Sequence, residues 1–87
     1  MRIVDGMILR QVGAGWVAVP TGDASERLHG VVRLNSTGKV VWDAFVDGAT
    51  EEGAAARLTE RYEVDDEHAL ESVRKVVAKL TAANLLV

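Results

Sequence analysis

Eighty-seven residues, nearly half of them apolar, suffice for one compact domain with a modest core and leave no room for a second, so 1–87 is expected to fold as a single unit. Cysteine is absent, which excludes disulfides, thiolate metal sites and cysteine nucleophiles and fits a reducing cytosol. The formal net charge of −3 makes the surface as a whole repel nucleic-acid phosphates, although it leaves room for a local basic stripe. No secretory signal pattern opens the chain and no segment approaches the ~20 apolar residues of a membrane span, so a soluble, cytoplasmic protein is expected.

In chain order, "MILRQV" reads as a first strand, Met7–Val12, and the permissive backbone of "GAG" at Gly13, Ala14 and Gly15 reverses it into a second strand, "WVAVP", over 16–20. Pro20 lacks a ladder donor and belongs at a strand end or edge. The polar stretch "TGDASERLH" reads as a loop. A third short strand follows over 30–34, "GVVRL", and runs straight into a helix.

The hydrophobic period changes at that junction. Asn35 or Ser36 can accept from the free amides of a helix whose apolar face carries Val40, Val41, Ala44 and Phe45, and Asp47-Gly48 ends it. Thr50 caps a second helix over about 51–62, with Ala54, Ala55, Leu58 and Tyr62 on one face and two acids in the first turn, where the helix dipole favours them. Gly53 weakens this helix by about 1 kcal/mol relative to alanine. A third helix over about 66–83 carries Ala69, Leu70, Val73, Val76, Val77 and Leu80 as a broad apolar stripe, and the tail "NLLV" packs back on the core. Three strands followed by three helices make an α+β fold with an antiparallel sheet, similar to a winged helix-turn-helix.

No residue cluster argues for catalysis. His29 and His68 have no partner at metal-ligand spacing, and Ser25, Ser36 and Ser72 lie in no nucleophile-elbow sequence. The acidic run "EVDDEH" lacks the alternating ligands and central glycine of a calcium loop and reads as a helix start. "GAG" precedes a strand, whereas a phosphate cradle precedes a helix. Trp42, Phe45 and Tyr62 fall where a core needs them, and Trp16 reads as partly exposed on the hairpin. No metal and no cofactor of the chain's own is expected.

The stretches "VVRLNSTGKVVWDAFVDGAT" and "RYEVDDEHALESVRKVVAKLTAANLLV" carry a resemblance that covers nearly the whole chain. Leu34-Asn35-Ser36-Thr37-Gly38, Trp42, Gly48-Ala49-Thr50, Tyr62-Glu63-Val64-Asp65 and Leu85-Leu86 follow one another as in the PqqD-like family, which the sequence resembles; Gly53 departs from the helix former found there. The resemblance implies a recognition element for ribosomally made, post-translationally modified peptides. Such a module is non-catalytic, binds the leader segment of a precursor peptide as an added antiparallel strand, and presents the precursor to a modifying enzyme such as a radical S-adenosylmethionine protein or a leader peptidase. It further implies a peptide site between the third strand and the third helix, made by Gly30, Val31, Val32, Arg33 and Leu34 together with Leu70, Val73, Arg74, Val77 and Leu80. Strand alternation turns Val32 and Leu34 to the core and Val31 and Arg33 away from it. Val73 and Val77 are expected to floor the groove, with Arg74 at its rim.

Two other readings stand beside this one. A winged-helix DNA binder would use the third helix, but Asp66, Glu67 and Glu71 share it with Arg74, Lys75 and Lys79, which disfavours nucleic acid. A purely structural subunit of an enzyme complex needs no groove. An open strand edge also allows a homodimer.

Overall fold

The computed structural model describes residues 1–27 and 31–87. Its elements are β1 (Met7–Val12), β2 (Gly15–Pro20), α1 (Ala24–Arg27), β3 (Val32–Leu34), α2 (Ser36–Val46), α3 (Glu51–Arg61) and α4 (Asp66–Ala82). The three strands form one antiparallel sheet in the order β1-β2-β3, and three substantial helices follow it. The α+β arrangement anticipated from the sequence is the one observed.

The differences are local. The stretch expected to be loop between β2 and β3 contains the single turn α1. β3 spans Val32–Leu34, shorter than the expected 30–34; Val31 lies just outside the ladder, and Gly30 falls outside the described residues.

Each main helix starts on a side-chain cap. Asn35 Oδ1 accepts from the Gly38 amide at 2.8 Å, Thr50 Oγ1 from Gly53 at 3.0 Å, and Asp65 Oδ1 from His68 at 2.8 Å. Each bond satisfies an amide that the first helical turn leaves without a partner. Asn35 also explains the abrupt passage from β3 to α2. Its backbone is still extended, with φ −85° and ψ −176°, while its side chain already closes the first turn of the helix.

The core lies between the sheet and the helices. α2 supplies Val40, Val41, Trp42, Ala44 and Phe45, α3 supplies Ala54, Ala55 and Leu58, and α4 supplies Ala69, Val73 and Leu80. From the sheet come Ala18, Val32 and Leu34. Tyr62, expected in this core, is exposed: it is the C-cap of α3, and its extended φ of −128° swings it off the buried helix face. The tail does pack inward, through Leu85, and it also pairs with the N-terminal segment, an isolated bridge joining Ile3 to Leu86. The Val4 amide donates to the Leu85 carbonyl at 2.9 Å and the Val87 amide to that of Arg2 at 3.0 Å.

Candidate functional site

β3 is the last strand of the sheet, so β2 covers only one of its two edges. Which backbone groups face which way can be read from two close approaches. A Cβ added to Gly15 on β2 would stand 3.3 Å from the Leu34 carbonyl oxygen, so that oxygen points toward β2. Backbone groups alternate along a strand, so the Arg33 carbonyl points to the open side. There it accepts a hydrogen bond from Lys79 Nζ at 3.0 Å. Side chains alternate as well: Val32 and Leu34 are buried, whereas Arg33 and Val31 are exposed.

Lys79 comes from α4, which runs beside the open edge. The most buried residues of α4 are Ala69, Val73 and Leu80, packed into the core. The adjoining face presents Ser72, Lys75, Val76 and Lys79, spaced i, i+3, i+4 and i+7 so that they form one continuous stripe. Between this stripe and the sheet lies an open groove of about 860 Å³. Arg33 and Leu34 line its edge, Trp16 and Val17 its sheet wall, and Asn35, Thr37 and Gly38 the end formed by the first turn of α2. Gly38 fits tightly there: a Cβ on it would sit 3.1 Å from Leu34 Cδ2 and 3.2 Å from Leu34 Cβ, and Leu34 would have to give way.

The electrostatics of the groove differ from those of the chain. Arg33, Lys75 and Lys79 line it, and no aspartate or glutamate does among the described residues. Lys39 lies 4.7 Å from the centroid of the Trp16 ring, a cation–π distance, and pairs with Asp43 at 2.6 Å. Lys75 has an exposed i, i+4 partner in Glu71 at 3.7 Å.

The residues expected to bind a peptide therefore divide. Arg33 and Leu34 line the groove, Val31 is exposed beside it, and Val32 lies beneath it in the core. Val73 and Leu80 are wholly buried, Leu70 and Val77 are half-buried against the core, and Arg74 is exposed outside the groove lining. On α4 the lining is thus a neighbouring face of the helix, Ser72, Lys75, Val76 and Lys79. The signal for it was present in the spacing: once Ala69, Val73 and Leu80 are given to the core, the flanking stripe is Ser72, Val76 and Lys79.

The acidic run before α4 is structural. Asp65 caps the helix, its Oδ1 also lies 2.6 Å from His68 Nδ1, and the backbone amide of His68, with its ring second, holds the Asp65 carboxyl below its ordinary value of 3.8. His29 lies outside the described residues. No helix among the described residues is long and apolar enough to cross a membrane.

The sequence matches the family model of coenzyme PQQ synthesis protein D (PqqD) over residues 15–86. The chain belongs to the PqqD family. No curated protein matches it closely enough to count as a relative. Two solved structures share the PqqD-type fold over almost the full length of both chains. One is TbiB1 in complex with the TbiA(beta) leader peptide, with a TM-score of 0.75 and 19% identity, covering 99% of this chain and 94% of that one. The other is a lasso peptide synthetase B1 complexed with the leader peptide, with a TM-score of 0.72 and 21% identity, covering 97% of this chain and 93% of that one.

Proposed function

We propose that this PqqD-family protein is a non-catalytic, cytoplasmic recognition module that binds the leader segment of a ribosomally made precursor peptide and presents it to a modifying enzyme. The observation that carries this reading is the open edge of β3 facing a groove walled by α4. An exposed strand edge normally invites unwanted pairing. Here it serves as the docking rail: an extended leader adds antiparallel to β3, takes main-chain bonds from the outward groups of Val31 and Arg33, and lays alternate side chains toward Val76 and Trp16. Main-chain bonding supplies affinity and the groove supplies selectivity.

Both structural neighbours are complexes with leader peptides, which supports this assignment. The chemistry of modification, with any cofactor, then belongs to the partner enzyme, a radical S-adenosylmethionine protein or a leader peptidase. DNA binding through α4 is disfavoured because Asp66 and Glu67 occupy the first turn of that helix, the part that would read bases.

The test is a backbone amide NMR titration with the leader of a small precursor encoded beside the gene. Saturable shifts at 31–34 and along 72–79 are expected. Val31→Pro removes an outward amide and should abolish binding while the helices stay folded. Retained affinity in a folded Val31→Pro protein would defeat strand addition.

A further inference from the structure

The groove carries a charge opposite to that of the chain around it. Thirteen acidic residues outnumber ten basic ones in the sequence, yet the charged residues lining the groove are Arg33, Lys75 and Lys79. Its other polar lining groups, Asn35, Thr37 and Ser72, are neutral. Among the described residues, Lys39 and Lys75 have carboxylate partners, whereas Lys79 has a carbonyl as its partner, that of Arg33 at 3.0 Å.

That carbonyl is the group an incoming strand needs. It is the outward-facing acceptor in the middle of β3, and an added strand must bring an amide N–H to it. The Lys79 ammonium therefore occupies the edge in the free protein, and the N–H of an added peptide competes with it for that acceptor. A displaced ammonium loses a charge-assisted hydrogen bond, and an anion within reach of its side chain restores one. A neutral peptide that displaces Lys79 offers nothing in return.

Resting on the strand-addition reading, we infer that Lys79 determines specificity: the groove selects an acidic leader, and a peptide carboxylate takes the place of the Arg33 carbonyl as the partner of Lys79. Lys75 and Arg33 add to the same field. The exchange makes Lys79 a plug for neutral strands and an anchor for acidic ones. Its removal should accordingly move the two kinds of peptide in opposite directions, which the loss of a merely structural contact would not do.

The experiment selects displayed random 12-residue peptides on the full-length protein, then synthesises the strongest binder with its groove residue as Glu and as Gln. Dissociation constants are measured by fluorescence anisotropy against the parent, Lys79→Met and Lys79→Arg. An acid should be enriched at one position, and its change to Gln should cost roughly fivefold on the parent. On Lys79→Met the Gln peptide should bind more tightly than on the parent and the Glu peptide more weakly, while Lys79→Arg keeps the preference for Glu. Selected peptides without acid enrichment, or equal binding of the Glu and Gln forms, would overturn the inference and leave strand addition standing. Equal competition by a random single-stranded DNA would also overturn it, by making the groove a general polyanion site. If no peptide is selected and no leader shifts the amides of β3, both this inference and the reading beneath it fall.

Discussion

Gly38 and Leu34 pack so closely that a Cβ on Gly38 would stand 3.1 Å from Leu34 Cδ2 and 3.2 Å from Leu34 Cβ, and Leu34 would have to give by a few tenths of an ångström to admit it. Gly53 holds the same third position of α3 that Gly38 holds in α2, and each donates its amide to a cap. A Cβ on Gly53 would meet Ala49 Cβ and Thr50 Oγ1 only at 3.4 Å, an ordinary contact. Alanine gains up to about 1 kcal/mol over glycine in a helix, whereas overpacking a fixed neighbour costs about 1–3 kcal/mol. Leu34 is fixed, because β2 pairs with its backbone and its side chain is buried. Gly53→Ala should therefore raise the melting temperature by roughly 3–6 °C, and Gly38→Ala should lower it. Thermal unfolding followed by circular dichroism decides the point; a rise in both would mean that Leu34 yields easily.

The two faces of α4 should separate in mutagenesis. Leu80 is completely buried, so Leu80→Ala should cost about 2–5 kcal/mol of stability in urea denaturation. Val76 is half-buried along the groove, so Val76→Ala should cost less than about 1.5 kcal/mol. If the leader lies in the groove, Val76→Ala should nevertheless weaken leader affinity in the same NMR titration. Unchanged affinity would remove α4 from the peptide site.

Acid should loosen the start of α4. The Asp65 carboxyl is held below its ordinary value of 3.8 in the folded chain, chiefly by the His68 amide. A lowered folded value means stability that is present above the unfolded value and lost as pH falls through the folded one. Asp65→Asn keeps a capping side chain but cannot be ionised. The parent should be more stable than Asp65→Asn at neutral pH, and the difference in melting temperature should shrink as pH falls below about 4. A difference that stays constant down to pH 2 would assign the whole effect to cap geometry.

Much of this molecule was legible in its sequence because the signals are local. Thr50 and Asn35 announce helix starts through the bond each makes three residues ahead, and the hairpin follows from a glycine pair between two apolar runs. The alternation of Val31, Val32, Arg33 and Leu34 was readable for the same reason. Tyr62 was misplaced because helical spacing puts it on the buried face, while the chain leaves the helix at that residue. The phase of α4 was harder. Its apolar stripe is wide enough for two neighbours, and only the packing of α2 and α3 decides that Val73 and Leu80 belong to the core while Val76 faces the groove. The bond from Lys79 to Arg33 spans 46 residues, and no pattern in either segment announces it.

The pairing of residues 2–4 with 85–87 brings the first and last described residues side by side, and the Met1 ammonium donates to the Ala49 carbonyl at 3.1 Å, beyond the C-terminal end of α2. The groove uses the opposite, N-terminal end of that helix, 11 residues or about 16 Å away. A domain spliced to either end would thus leave from nearly the same point. Head or tail, fusion geometry is interchangeable: the order in which this fold and a second domain followed one another along a chain would leave their arrangement nearly the same.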